Sequence, residues 1–308
     1  MPRVNPAILF SAAPALSRIA LGASTFGREI DEERAFALMD RARERQVTHF
    51  DTAATYSAGA SERIVGRWLA SRRPDPTTLT IATKIYPPFE PDAIDSAVTA
   101  SAQRLGIETI DLLYLHKWDA AAETPATLRA LNRIVRSGRV RALGVSNFTA
   151  AQLGRVLALQ TQLGLAPFRA LQNANNLALR EVDSSLRELC AAHDAAILTY
   201  SPRGAGFLTG KHRNGVEPGS RFDVAPSHQD VYFRPGPQRR LDHLAAVSAR
   251  TGQPMAHLAL AWALHFPGVV SILVGARTPA QLDQAFAALA FDEPALFAEL
   301  EADSAPRS

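Results

Sequence analysis

The sequence predicts an α/β fold: a single (β/α)8 or TIM barrel spanning residues 1–308, with a long loop after the seventh strand. Three observations carry this. Short apolar runs alternate strictly with helix-patterned segments from about residue 20 onward, which demands a parallel sheet covered by helices. A length of 308 residues suits one barrel of this kind. The residues after the first apolar run, Gly22-Ala23-Ser24-Thr25-Phe26-Gly27, lack the G-x-G-x-x-G of a doubly wound nucleotide fold. The nearest such spacing, Gly204-Ala205-Gly206, lies beyond residue 200 and does not open a helix cleanly.

The elements follow in order. A first strand is expected near Ile19-Ala20-Leu21. Asp31 can cap a helix to about Gln46, with Leu38 and Met39 on its apolar side. Val47–Asp51 reads as a strand, Ser61–Leu69 as a helix and Leu79–Thr83 as a strand. A helix over Pro91–Leu105 has proline at its start and Gly106 as its stop, and strand Asp111–Leu115 follows. Helix Pro125–Ser137, stopped by Gly138, leads to strand Val140–Val145. Helix Ala150–Leu163 pairs with strand Arg169–Leu171, and helix Val182–His193 with strand Ala196–Tyr200. After the long connection come helices near Gln238–Thr251 and Pro254–His265, strand Val269–Val274 and helix Pro279–Leu289. The connection over 201–237 is rich in glycine, proline, basic and aromatic residues, as expected of a lid or a mobile segment.

Composition narrows the classes. Hydrophobic residues at 47% supply a sizeable core, yet no uncharged apolar stretch is long enough for a membrane span, and the N-terminus does not read as a signal peptide. A formal charge of +3 with scattered basic residues gives little support to nucleic-acid binding. The lone Cys190 can form neither an internal disulfide nor a metal cluster. A cytoplasmic setting is the expectation.

The chemistry lies at the strand ends. Asp51, Tyr56, Lys84 and His116 sit at or just past three of the apolar runs, so a barrel gathers them on its C-terminal rim. A buried lysine beside an aspartate keeps its charge and is expected to lower the pKa of a nearby phenol. Such a tyrosine can protonate a developing alkoxide while an imidazole orients the carbonyl oxygen. The group suits reduction of an aldehyde or ketone, with hydride from a nicotinamide cofactor because no side chain can supply it. A metal-dependent barrel hydrolase fits poorly: position 51, two after His49, is an aspartate, and no second histidine lies nearby.

The stretch His49-Phe50-Asp51-Thr52-Ala53-Ala54-Thr55-Tyr56-Ser57-Ala58-Gly59-Ala60-Ser61-Glu62 resembles the aldo-keto reductase signature. So do Ala82-Thr83-Lys84, Asp111–His116, Gly144–Phe148, Gln172-Asn173, Tyr200-Ser201-Pro202 and Gly275-Ala276-Arg277, in the family's order over about residues 18 to 290. The spacing and the long loop look nearest to the bacterial aryl-alcohol, aflatoxin-aldehyde and sugar-ketone reductase branch. The resemblance implies NADPH/NADP+ and a small-molecule carbonyl substrate, with Tyr56 as general acid, Lys84 and Asp51 assisting, and His116 orienting. It implies that Ser146, Asn147 and Gln172 hold the carboxamide and that Tyr200 stacks on the nicotinamide. Gly22, Ser201, Pro202, Arg203, Lys211, Gly275, Arg277 and Gln281 would complete the cofactor site. Arg277 would face a 2′-phosphate beside the helix that begins at Pro279. Phe26, Tyr86, Phe89 and Trp118 are candidate pocket walls. The resemblance also admits a nucleotide-binding accessory subunit, as in the potassium-channel beta subunits of the same fold.

Departures stand out. Gln284-Ala285 replace a common Glu-Asn pair, Arg203 replaces the leucine of a Tyr-Ser-Pro-Leu segment, and Ser57 replaces a glycine. Ala23 and Ser24 stand where a threonine and a bulky residue are usual, and residues 1–17 lack a convincing N-terminal hairpin.

Overall fold

The computed structural model describes residues 14–302; most of the stretch expected to lack a hairpin lies outside them. Eight strands close a parallel barrel in chain order: β1 Ile19–Gly22, β2 His49–Asp51, β3 Thr80–Ile85, β4 Ile110–Leu115, β5 Val140–Ser146, β6 Phe168–Ala174, β7 Ala196–Tyr200 and β8 Val269–Gly275. Parallel pairing of β1 with β8, Gly22 opposite Gly275, closes the ring. The alternation of elements thus resolves as a barrel and not as an open sheet.

Helices α1 (Glu32–Glu44), α2 (Ala60–Arg72), α3 (Pro91–Leu105), α4 (Pro125–Arg136), α5 (Ala150–Leu163) and α6 (Ser184–Ala192) follow the first six strands. Their starts are chemically marked. Asp31, Thr124, Thr149 and Asp183 accept backbone N–H bonds, and Pro91 and Pro125 stand in first turns that need no donor. After β7 come the short α7 (Arg221–Val224) and α8 (Gln229–Tyr232), then α9 (Pro235–Thr251) and α10 (Met255–His265). The last two, α11 (Pro279–Leu289) and α12 (Pro294–Glu301), follow β8.

Several bounds differ from expectation. β6 runs three residues beyond Leu171, because Gln172-Asn173-Ala174 pair with Leu198–Tyr200 despite their polarity. α9 starts at Pro235, where the proline occupies the first turn; the sequence had placed it in the loop. α12 was not anticipated. The connection over 201–237 is built rather than open: Phe222 stacks edge-on with His212 and Tyr232, its ring centroid 4.8 Å and 5.7 Å from theirs.

Two apolar layers result. The larger lies between the strands and the helices. The smaller fills the barrel with Ala20, Ala82, Leu112, Tyr114, Ala142, Ala170, Ala196, Leu198 and Leu273, a packed interior and not a pore. Among the described residues no helix is long and apolar enough to cross a membrane.

Also buried is His49, two residues before Asp51, with both ring nitrogens unpartnered. Burial lowers its pKa to about 4, the Asp51 charge opposing this and Lys84 adding to it. The folded state therefore resists protonating His49, whereas the unfolded chain takes up that proton near pH 6.5. Its contribution is fully present above pH 6.5 and is lost as pH falls toward 4, by at most about 1.4 kcal/mol per pH unit. In chemical denaturation at pH 7 and pH 5, His49→Gln should lose less stability between the two than wild type; parallel losses would dismiss the assignment.

Candidate active site

The rim of β2 and β3 sets the geometry. Beyond Asp51 the chain keeps pairing with β3, Thr52 N–H donating to Ala82 O (2.9 Å) and Ala54 N–H to Lys84 O (3.1 Å). This carries the following turn over the end of β3. There Tyr56 opens a short helical turn, Tyr56–Gly59, in which Ser57 and Ala58 are left-handed (φ 51° and 50°). Gly59 ends it at φ 81°, where a Cβ would come within 2.7 Å of the Arg104 stem.

Lys84 and Asp51 are buried and form an ion pair through Nζ and Oδ2. Lys84 Nζ also donates to Thr52 O (2.9 Å) and reaches the Tyr56 hydroxyl (3.4 Å). Asp51 Oδ1 accepts from Gln172 Nε2 at 2.9 Å. His116, just past β4, lies edge-on to Tyr56 with ring centroids 5.7 Å apart, and its Nδ1 hydrogen-bonds Thr55 Oγ1 (3.3 Å). The four polar residues expected on the rim are thus brought together.

Burial would drive Lys84 down, but Asp51, with Tyr56 adding, outweighs it and the ammonium ends above its ordinary value. Burial, and then the Lys84 charge, lower His116 to about 3, so its imidazole is neutral. Tyr56 corrects an expectation. Burial raises its phenol above the ordinary value, and Lys84 recovers only part of that rise. The phenol is a firmly held proton.

A cavity of about 540 Å³ opens beside this group. Its lining takes in Asp51, Tyr56, Gln172 and Tyr200 at one end, and Arg203, Lys211, Gly275, Arg277 and Gln281 farther out. Gly22, Ser201 and Pro202 also line it. Ser146 and Asn147 do not. Ser146 Oγ donates to Gln172 O (2.7 Å), while Asn147 Nδ2 donates to His116 O (2.9 Å) and its Oδ1 accepts from the Tyr200 hydroxyl (2.7 Å).

The aromatic walls need correcting. Phe26 and Phe89 are wholly buried in the larger core and line no part of the cavity. Trp118 packs against that core and donates from Nε1 to Glu123 (2.7 Å). Apolar rings in rim loops gain more by packing under helices than by facing the mouth. Tyr86 alone of the four is exposed, edge-on to His116 at 5.9 Å, and neither it nor Trp118 lines the cavity.

A supporting layer lies beneath the tetrad. Glu62 is buried, accepting from Thr83 Oγ1 (2.6 Å) and Arg104 Nε (2.5 Å). Ser61 Oγ donates to Ala23 O (2.8 Å) and hydrogen-bonds Thr52 Oγ1 (2.8 Å). Nearby, the buried carboxylate of Glu29 pairs with Arg28 (2.8 Å) and with Arg221 of α7 (2.6 Å). The position of Ser61-Glu62 just after the tyrosine turn was the available signal; nothing in the sequence links Glu29 to Arg221.

Two expectations follow. Ala58→Gly removes a Cβ from a left-handed residue and should add about 1 kcal/mol to unfolding free energy in denaturant titration; a loss of stability would contradict that backbone conformation. Glu29→Gln should raise amide hydrogen exchange over 221–232 roughly tenfold while the global melting temperature shifts little. Unchanged exchange would show that the pair does not hold the segment.

The chain resembles a probable voltage-gated potassium channel subunit beta of Arabidopsis thaliana, 29% identical over 285 residues, 87% of this chain and 86% of that protein. Residues 18–296 match the profile of the Aldo/keto reductase family, so with its barrel and the four converging rim residues the chain belongs to that family of oxidoreductases.

Proposed function

We propose that the protein reduces an aldehyde or ketone to the alcohol, reversibly, using NADPH. The observation that carries this is the contact of one buried ammonium, Lys84, with both Asp51 and the Tyr56 hydroxyl, beside a neutral His116.

The residues present fit a nicotinamide dinucleotide. Tyr200 and Gln172 line the cavity at the Tyr56 end, whereas Arg203 and Arg277, with no carboxylate partner among the described residues, line the other and suit phosphate. When bound, the cofactor supplies hydride from nicotinamide C4. Arg277 would face its 2′-phosphate and Tyr200 its nicotinamide ring.

Tyr56 gives its proton to the oxygen on which negative charge develops. Lys84 lowers the cost of the phenolate left behind, and Asp51 keeps Lys84 charged and in place. If the Thr55 hydroxyl donates to His116 Nδ1, the neutral imidazole carries its proton on Nε2, free to donate to the carbonyl oxygen. Tyr86, exposed beside His116, is proposed as a wall of the substrate's approach, which favours flat or apolar carbonyls.

Tyr56→Phe should cut turnover by roughly 10²–10⁴ while NADPH binding, followed by fluorescence, stays within about twofold. NADPH oxidation with 4-nitrobenzaldehyde, methylglyoxal and a sugar ketone provides the assay. Undiminished activity in the variant would refute the assigned acid.

The plant relative named as a channel subunit supports a second reading, a nucleotide-binding accessory protein. Tight NADPH binding with no turnover on any carbonyl would favour it.

A further inference from the structure

Of the cationic side chains lining the cavity, Lys211 and Arg221 are already matched by carboxylates, Lys211 by Glu217 (3.1 Å) and Arg221 by Glu29 (2.6 Å). Arg203 and Arg277 have no such match among the described residues. Arg203 stands just past β7, and its guanidinium crosses to the end of β8 and to α11, donating to Gly275 O (3.2 Å) and, at the limit of hydrogen-bond range, to Gln284 Oε1 (3.4 Å). Arg277 donates to Gly219 O at 2.9 Å. Both guanidiniums hold only neutral oxygens, which leaves their charges uncompensated.

They also repel each other. Burial, and then the Arg277 charge, lower the pKa of Arg203. Two like charges brought together in a partly desolvated cavity favour an anion that both can reach.

The local sequence is consistent with this. Arg203 replaces the leucine that the resemblance leads one to expect, and Gln284 replaces a glutamate. A carboxylate at 284 would sit against the Arg203 guanidinium and neutralise it, whereas the amide accepts a hydrogen bond and leaves the charge available. The two departures complement each other: one adds a cation and the other withholds its counter-ion.

From this juxtaposition we infer that Arg203 joins Arg277 to form a two-guanidinium clamp for a terminal phosphate monoester, the 2′-phosphate of NADPH, and that Gln284 keeps the clamp charged. The inference rests on the cofactor reading above. It makes Arg203 a residue that selects the phosphorylated cofactor and takes no part in proton transfer.

The test is equilibrium binding of NADP+, NAD+ and 2′,5′-ADP to the full chain, by calorimetry at two salt concentrations. Arg203→Leu places an apolar residue common at that position in the family. It should weaken NADP+ and 2′,5′-ADP at least tenfold, leave NAD+ within about twofold and flatten the salt dependence. Gln284→Glu should weaken NADP+ several-fold more in the wild-type background than beside Arg203→Leu, where only its direct repulsion of the phosphate remains.

Equal losses for NADP+ and NAD+ in Arg203→Leu would place Arg203 on the pyrophosphate and overturn the clamp. So would unchanged NADP+ affinity. A wild-type protein that binds neither dinucleotide would remove the cofactor reading itself, a failure distinct from one confined to the Arg203 variant.

Discussion

The site depends on keeping one ammonium charged inside protein. Burying Lys84 and Asp51 separately would cost several kcal/mol each, and their attraction repays this only when the remaining donors and acceptors are also met. Here they are. Thr52 O and the Tyr56 hydroxyl take the lysine's other donors, and Gln172 caps the free carboxylate oxygen. These partners come from β2, from the turn after it, from β3 and from β6, so the network needs the closed barrel. An open sheet would separate β2 from β6. The charge of Lys84 then acts on its surroundings, lowering His116 and opposing the burial that raises Tyr56.

Holding Tyr56 over that ammonium requires a backbone most residues avoid. Ser57 and Ala58 occupy left-handed wells without being glycine, a local cost of about 1 kcal/mol or more each. Ser57 offsets part of it by donating from Oγ to Phe26 O (3.0 Å). The rest is held from below by buried Ser61 and Glu62, which tie the start of α2 to the Ala23 carbonyl, to Thr83 of β3 and to Arg104 of α3. A serine and a glutamate that read as part of a catalytic signature therefore act as scaffold here. They fix where the tyrosine oxygen lies without touching the cavity.

This division explains what the sequence could and could not reveal. Strand–helix alternation and the rim placement of Asp51, Tyr56, Lys84 and His116 were legible because each follows from local periodicity plus one topological rule. Strand lengths were not, since Gln172-Asn173-Ala174 pair only because a neighbouring strand is there to receive them. Phe26, Phe89 and Trp118 read as walls because they occur in rim loops, but whether a ring faces the mouth or the helices depends on packing from other segments. The direction of the Tyr56 shift was not legible in the sequence for a related reason. A nearby lysine can be read from a motif, whereas the depth of burial that outweighs it depends on the fold.

The charges along the cavity divide its work. At the Tyr56 end Lys84 is paired with Asp51 and His116 is neutral, so little net field remains to hold an anion in the ground state. At the far end Arg203 and Arg277 remain uncompensated. In the reading proposed, affinity is drawn from groups remote from the reacting carbon, while the tetrad is reserved for charge that exists only as the carbonyl is reduced. In that reading, the separation lets the grip on the cofactor change without disturbing the proposed proton donor. The departures at 203 and 284 both line the cavity beside Arg277, the end to which the proposed reading assigns binding and not proton transfer.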